Sequence, residues 1–330
     1  MKHTLPAWLD SLSRDGSFIV VGRAGMDLYP TPAGTKISSA NTFSSDVGGS
    51  AGNIAVALAR SGQNVELLSS LSTDAIGDFV ANNLRNYGVG LTYVGRTTGR
   101  QRTSLAIAEV NAEKPGVVIY RNNASDLILN ESHIEKLPFA TAKAIIITGT
   151  ALSSEQANQQ LRGVAQNAND NGCPVVLDID YREMAWQSPN HAKSVISDFC
   201  LYVDLLVGND EEFAMLSAGS ISEGKSYALK FAADDRVALY KAGSAGCEIF
   251  SRHISKHISI YNVTPLKPFG AGDAFLGNVM GHLVYEQNWV EAIKAGAAAA
   301  AMVVSRQGCA SAMPDKQSLI KFQSETKFGL

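Results

Sequence analysis

The chain reads as an α/β protein, a layered sandwich with a mainly parallel sheet and a small β-strand lid. Three observations carry that reading. Short apolar, β-branched runs alternate with alanine-rich stretches of helical spacing along most of the chain. Two long segments, Ala33–Asp46 and Thr103–Arg121, break the alternation and exceed ordinary connections. No repeat, low-complexity tract or linker interrupts the 330 residues, so 1–330 is read as one domain.

Taken in order, Ser17–Val21 is a buried strand ending at Gly22, and Asp27 lies just past it, where ligand-contacting residues of open α/β sheets collect. Gly48-Gly49-Ser50-Ala51-Gly52-Asn53 leads into a helix over Ile54–Arg60. Val65–Ser69 and Leu91–Val94 are strands flanking the helix Ile76–Tyr87. The segments at about 33–46 and 103–121 are extended and partly alternating, which predicts a small antiparallel flap over the open end of the sheet. Ala144–Ile147, Val175–Ile179 and Asp204–Val207 are further strands, with a helix at Glu155–Asp170. Glu211–Leu216 and Lys225–Ala232 are helical, Val237–Lys241 and Cys247–Phe250 extended. Ala274–Tyr285 and Val290–Val304 close the chain as helices.

Composition excludes several classes. A 45% hydrophobic and 18% charged chain is an ordinary soluble globular protein, and a net charge of −3 without a long basic run offers nothing to nucleic acid. Cys173, Cys200, Cys247 and Cys309 lack metal-type spacing and read as buried free thiols in a reducing compartment. Asp10, Arg14 and Asp15 stand where a signal peptide needs an apolar core. The Ala295–Val304 run is too short to span a bilayer and is flanked by Lys294 and Arg306. A cytoplasmic protein with no membrane attachment is expected.

The chemistry centres on Pro268-Phe-Gly-Ala-Gly-Asp-Ala-Phe275. Gly270 and Gly272 around Ala271 permit a tight turn, and Asp273 opens an apolar helix. Such a helix start offers unpaired backbone N–H groups and a positive dipole end to a phosphate, with Asp273 placed to take a proton. The alternative is a plain turn with Asp273 as a helix cap. Asn209-Asp-Glu-Glu212 follows an apolar strand and fits either Mg²⁺, held usually through water, beside a nucleotide phosphate or a capped helix with acids in its first turn. Asp178-Ile-Asp180-Tyr-Arg182 ends another strand. Arg182 there fits either a ligand carboxylate or phosphate, or a surface pair with Asp180. Arg121, at the flap's end, is a second such cation. Lys241-Ala-Gly243-Ser-Ala-Gly246 alone reads as a glycine turn between strands. Gly219-Ser-Ile-Ser-Glu-Gly224-Lys225-Ser226 matches the phosphate-loop letters, but a helix precedes it, so the strand–loop–helix context fails.

Together and in this order, these pieces resemble the PfkB/ribokinase family of carbohydrate kinases. Gly48-Gly49 with Asn53, Asn209-x-x-Glu212, Gly243-x-x-Gly246 and Gly270-Ala271-Gly272-Asp273 carry the resemblance. Further likeness, in Gly22–Pro30, Tyr120-Arg121, Ala124–Leu127, Asp178–Arg182, Lys267–Gly270 and Val303–Cys309, points to the branch acting on 5-dehydro-2-deoxygluconate in myo-inositol breakdown. The kinases of 2-keto-3-deoxygluconate share the general plan. The resemblance implies a ribokinase-like α/β/α fold, ATP with Mg²⁺, and a small-molecule sugar acid as acceptor. Asp273 would be the base, and Gly270, Ala271 and Gly272 the anion hole. Asp27, Gly48, Gly49 and Asn53 would bind sugar hydroxyls, and Arg121, Arg182 and Lys267 the acid. Lys241, Gly243, Gly246, Ala299 and Val303 would border the nucleotide, and Asn209 and Glu212 would organise the metal. Pairing of two flaps would make a homodimer. Many members carry Asp-Thr-Thr before the glycines, with the Asp helping to bind a monovalent cation. Here Lys267-Pro268-Phe269 stands in its place, so the Lys267 ammonium either replaces that ion or reaches the phosphates or the sugar acid. Two other classes stay open on sequence, a non-catalytic sugar-acid or nucleotide binder and, more weakly, a nicotinamide-dependent oxidoreductase.

Overall fold

Apolar runs with no polar interruption become strands buried on both faces, the pattern of a parallel sheet covered by helices. The computed structural model describes residues 5–113 and 115–329. Its strands are β1 Phe18–Val21, β2 Gly25–Pro30, β3 Phe43–Gly48, β4 Val65–Ser72, β5 Val94–Thr97, β6 Leu105–Ala108, β7 Val117–Tyr120, β8 Ala144–Thr148, β9 Val175–Asp178, β10 Leu205–Asn209, β11 Val237–Lys241, β12 Cys247–Ser251 and β13 Ser255–Ile258. Two units emerge, one of residues 1–21 with 136–260 and one of 22–135 with 261–330.

In the first unit β1, β8, β9, β10 and β11 pair in parallel, and β12 and β13 continue antiparallel to them. β1, β8 and β9 are buried at every position. The register sets Val207 beside Asp178 and Asn209 beside Lys241, so three polar residues gather at the carboxyl ends of neighbouring strands. That is where open α/β sheets keep their ligand contacts.

In the second unit β4 and β5 pair in parallel, and a separate four-stranded sheet runs β3-β2-β6-β7. This sheet is the expected flap with two corrections. It includes β2, so Asp27 lies within a flap strand and not in a loop beyond β1. It is also mixed: the outer pairs are antiparallel, but β2 and β6 are parallel. Strand alternation gives the sheet two characters. Asp27, Asp46 and Ala106 share one face. Met26, Leu28, Leu105, Ile107, Val118 and Tyr120 share the other, on which Val118 and Tyr120 stay exposed. The helices Ser50–Arg60, Ala75–Asn86, Ala271–Tyr285, Trp289–Val304 and Lys316–Glu325 belong to this unit. Ser50–Arg60 and Ala271–Tyr285 begin earlier than their apolar spacing indicates, because Ser50 and Ala271 follow glycines at positive φ that serve as N-caps.

Candidate active site

Gly270 has φ +76°, a conformation that an L side chain resists, and a Cβ there would stand 3.1 Å from Cys309 Sγ and 3.3 Å from Val303 Cγ1. The turn therefore needs glycine. It is the N-cap of the helix Ala271–Tyr285 and, as glycine, brings no side chain to bond the helix start. The first intrahelical bond of the turn is Ala274 N–H to Gly270 O, at 3.0 Å. The amides of the first turn thus point out of the helix at its positive dipole end. Asp273, half-buried, sits in that first turn.

The same unit brings Asn53 to Asp273: Asn53 Nδ2 donates to Asp273 Oδ2 at 2.8 Å. Asn53 lies near the start of the helix Ser50–Arg60, whose cap, Gly49, has φ +89°. Gly48 makes room for Asp27, since a Cβ at 48 would fall 2.0 Å from that carboxylate. Tyr29 Oη donates to Asp27 Oδ2 at 3.1 Å. Burial raises the Asp27 carboxyl above its ordinary range, and the Arg23 guanidinium and Tyr29 hydroxyl partly offset this. Asp27 Oδ1 and Asn53 Oδ1 are buried oxygens with no donor among the described residues. Native interiors rarely leave such atoms unsatisfied, so a ligand's hydroxyls are the natural donors.

Several expected roles are corrected. Lys267 is 0% exposed and donates to the carbonyls of Phe269 at 2.7 Å and Val303 at 3.2 Å, so it is turned into the protein and not toward a substrate. Ala299 and Val303 are wholly buried in their helix and offer no side chain to a nucleotide. Arg121 Nε donates to Asp126 Oδ2 at 2.9 Å, and that carboxylate is buried. Arg182 pairs with Asp180 at 3.1 Å while remaining more than half exposed, but Asp180 itself is buried and also accepts from Thr150 Oγ1, so this is not a surface pair. Asn209 and Glu212 form a capping box. Asn209 Oδ1 accepts from Glu212 N at 2.8 Å, and Glu212 Oε2 accepts from Asn209 N at 2.7 Å. Glu212 Oε1 takes the Tyr181 N–H at 3.1 Å, so both its oxygens already hold backbone donors. The pair forms a helix cap; direct ligation of Mg²⁺ does not fit it, and contact through water is the form in which it would organise the ion. Among the described residues no cluster of three His, Cys, Asp or Glu is arranged to hold a metal.

Lys241 stands 3.6 Å from Asp178 Oδ1 at the strand ends of the first unit. Gly243 and Gly246 make the tight β11–β12 hairpin at φ +53° and +96°. The phosphate-loop look-alike follows the helix Asp210–Ser217, as expected, and runs into the helix Ile221–Phe231, where its Lys225 pairs with Glu248 at 2.7 Å. The four cysteines are free and buried.

Two residues escaped the sequence reading. Arg23 donates to Ser104 Oγ at 3.1 Å and is the leading charge acting on Asp27. Its only signal was its place four residues before Asp27. Asp46 binds the Cys309 and Ser311 N–H groups with one oxygen, at 2.8 and 3.1 Å, tying the flap to the loop before residue 312.

A glycine turn at a helix start, a carboxylate in its first turn and buried oxygens without donors stand together in the second unit. The model of the family described as pfkB family carbohydrate kinase matches residues 16–316, and the chain belongs to that family. A 5-dehydro-2-deoxygluconokinase of Photobacterium profundum is 34% identical over 309 residues, covering 92% of this chain and 93% of its own. Among solved structures, a fructokinase from Xylella fastidiosa with bound ATP superposes with a TM-score of 0.82 at 22% identity, over 94% of this chain and 98% of its own. A fructokinase double mutant from Vibrio cholerae O395, in its fructose-, ADP- and potassium-bound form, gives 0.83 at 21%, over 94% and 99%. Both likenesses establish the ribokinase-like α/β fold. The protein is a carbohydrate kinase.

Proposed function

We propose that the protein transfers the γ-phosphoryl group of ATP to a primary hydroxyl of 5-dehydro-2-deoxy-D-gluconate. The observation that carries this is the juxtaposition of Asp273, Asn53 and the uncapped helix start in one unit. Asp273 takes the hydroxyl proton as that oxygen bonds to the γ-phosphorus. The bond from the γ-phosphorus to its bridging oxygen breaks, and ADP leaves with the electron pair. The first-turn amides and the helix dipole stabilise charge on the three equatorial oxygens. Asp27, given space by Gly48, and Asn53 accept the sugar's other hydroxyls, and Gly49 lets the chain pass close to the Arg23 backbone. Arg23 is the assigned partner of the substrate carboxylate, because Arg121 and Arg182 already hold Asp126 and Asp180.

Lys241, Gly243 and Gly246 are proposed to border the nucleotide, with Mg²⁺ accompanying it as counter-ion to the phosphates. The family match runs through both units, which favours reading 1–330 as one kinase domain. The exposed apolar face of Val118 and Tyr120 suits a second copy of the chain across a two-fold axis. Among the described residues no helix is long and apolar enough to cross a membrane, in keeping with the proposed cytoplasmic location. A panel of sugar acids and neutral sugars, incubated with ATP and Mg²⁺ and scored for phosphorylated product, tests the assignment. Greatest kcat/KM for 5-dehydro-2-deoxygluconate is expected. Preference for 2-keto-3-deoxygluconate would move the enzyme to the neighbouring branch, preference for neutral sugars would remove Arg23 from its role, and no turnover would leave a binding protein.

A further inference from the structure

A lysine lies beneath the Gly270 turn with its charge wholly withdrawn from solvent. Besides its carbonyl partners, Phe269 O and Val303 O, Lys267 Nζ has the Cys309 thiol 4.0 Å away. The thiol is no counter-ion, because burial pushes it up to about 12. Val303 O belongs to the last turn of the helix Trp289–Val304, so the ammonium meets the negative end of a helix dipole. Burial holds the Lys267 ammonium below the ordinary lysine range, and the nearby Asp46, Asp273 and Asp27 carboxylates partly offset that fall. Desolvating an ammonium is costly, and an apolar side chain of similar volume would fill the space without that cost. What the cation adds is direction and field.

The direction follows from peptide geometry. Phe269 C=O and Gly270 N–H belong to one planar trans unit and point opposite ways. A carbonyl held onto Lys267 aims the next N–H away from it, outward from the turn. Val304 O fixes the lysine's own backbone, accepting from Lys267 N at 3.1 Å and Leu266 N at 2.7 Å. The Asp46 grip on Cys309 and Ser311 holds the loop on the other side.

We infer that Lys267 is a built-in cation, a positioning residue that orients the donors of the Gly270 turn and supplies there the positive charge that a free monovalent ion would otherwise have to bring. The inference rests on the kinase reading for its effect on turnover. Its second readout, thermal stability against cations, does not depend on the substrate.

Wild-type turnover, measured with choline, Na⁺ or K⁺ as the sole monovalent cation, is expected to stay constant within about twofold. Lys267→Met should lower kcat by about 10²-fold, the cost of disturbing an oxyanion donor, with both KM values within about threefold. In Lys267→Ala, K⁺ or ammonium should restore about tenfold of the lost kcat and raise Tm, while wild-type Tm ignores them. The inference is overturned by several-fold K⁺ activation of the wild type, by wild-type kcat in folded Lys267→Met, or by a Lys267→Ala protein indifferent to cations. Should neither variant fold, the wild-type cation series alone decides. A wild type inert toward every sugar leaves the Tm comparison standing and sinks only the substrate assignment.

Discussion

Two helix starts in this molecule are written in similar letters and built to opposite ends. At Asn209 the helix Asp210–Ser217 is closed by its own side chains, with a reciprocal capping box and a third bond from Tyr181 N–H to Glu212. At Gly270 the helix Ala271–Tyr285 begins with no side-chain cap at all. A cap stabilises a fold by about 1 kcal/mol. Omitting one forgoes that and leaves donors for something else. The contrast teaches that an acidic helix N-terminus signals function only where its amides have not been claimed. Substitutions at the two sites should therefore damage different quantities, activity at one and stability at the other.

The largest effect belongs to Asp273. Asp273→Asn keeps size and the Asn53 contact but removes the proton acceptor, so kcat should fall by about 10²–10⁴-fold. Sugar affinity and Tm should stay near wild type, as read by calorimetric titration and thermal melting. Near-normal turnover would move the base elsewhere and erase the distinction between the two helix starts.

Asn209→Ala probes the other side. Loss of its acceptor should cost about 1 kcal/mol, which for a protein of this size is a few degrees of Tm, with kcat within about threefold. A hundredfold loss of kcat at unchanged Tm would show the capping box to be part of the phosphate site after all.

How much of this was legible beforehand follows the same line. Strands such as Ala144–Thr148 and helices such as Glu155–Asp170 announce themselves, because burial on both faces and 3.6-residue spacing are local patterns. β2 did not. Gly25-Met-Asp-Leu-Tyr-Pro30 mixes a strand-breaking glycine, a charge and a proline, and its pairing with β6 joins residues some eighty positions apart. β13 and the helix Lys316–Glu325 also went unread, their sequences being polar with little apolar spacing. At the site, Asp273, Gly270 and Asn53 were readable as letters with a shared chemistry. Asn209-x-x-Glu212 was not decidable, because a capping box and a metal pair use the same residue types at the same spacing. The arginines failed for a related reason: which carboxylate a guanidinium holds is a matter of three-dimensional neighbours, and Asp126 and Asp180 took them. For Lys267 the sequence leaves open an ion's place or a ligand contact, and its full burial, a matter of three-dimensional neighbours, removes the second.

The smallest effect sharpens the comparison by asking what a carboxylate gives up when it is assigned to backbone donors. Asp204, like Glu212, accepts a backbone N–H, that of Val175 at 2.8 Å. Burial nonetheless pushes its carboxyl up to about 6, with Asp235 adding to the rise and the Val175 bond and Arg236 opposing it. In the unfolded chain the group titrates near 3.8. The folded state therefore binds this proton more tightly. Its contribution to stability is complete below pH 3.8 and is lost as pH rises through about 6. Two pK units would carry roughly 3 kcal/mol if fully expressed, and solvent at this half-buried position should reduce that to about 1 kcal/mol. Asp204→Asn keeps an acceptor for Val175 N–H and removes the titration, so its Tm should change less between pH 5 and 7.5 than the wild type's, by about 2–4 °C. Identical pH profiles in the two proteins would mean that this carboxylate is as well solvated as an ordinary one, and that backbone bonds cost a side chain in the first unit nothing in titration.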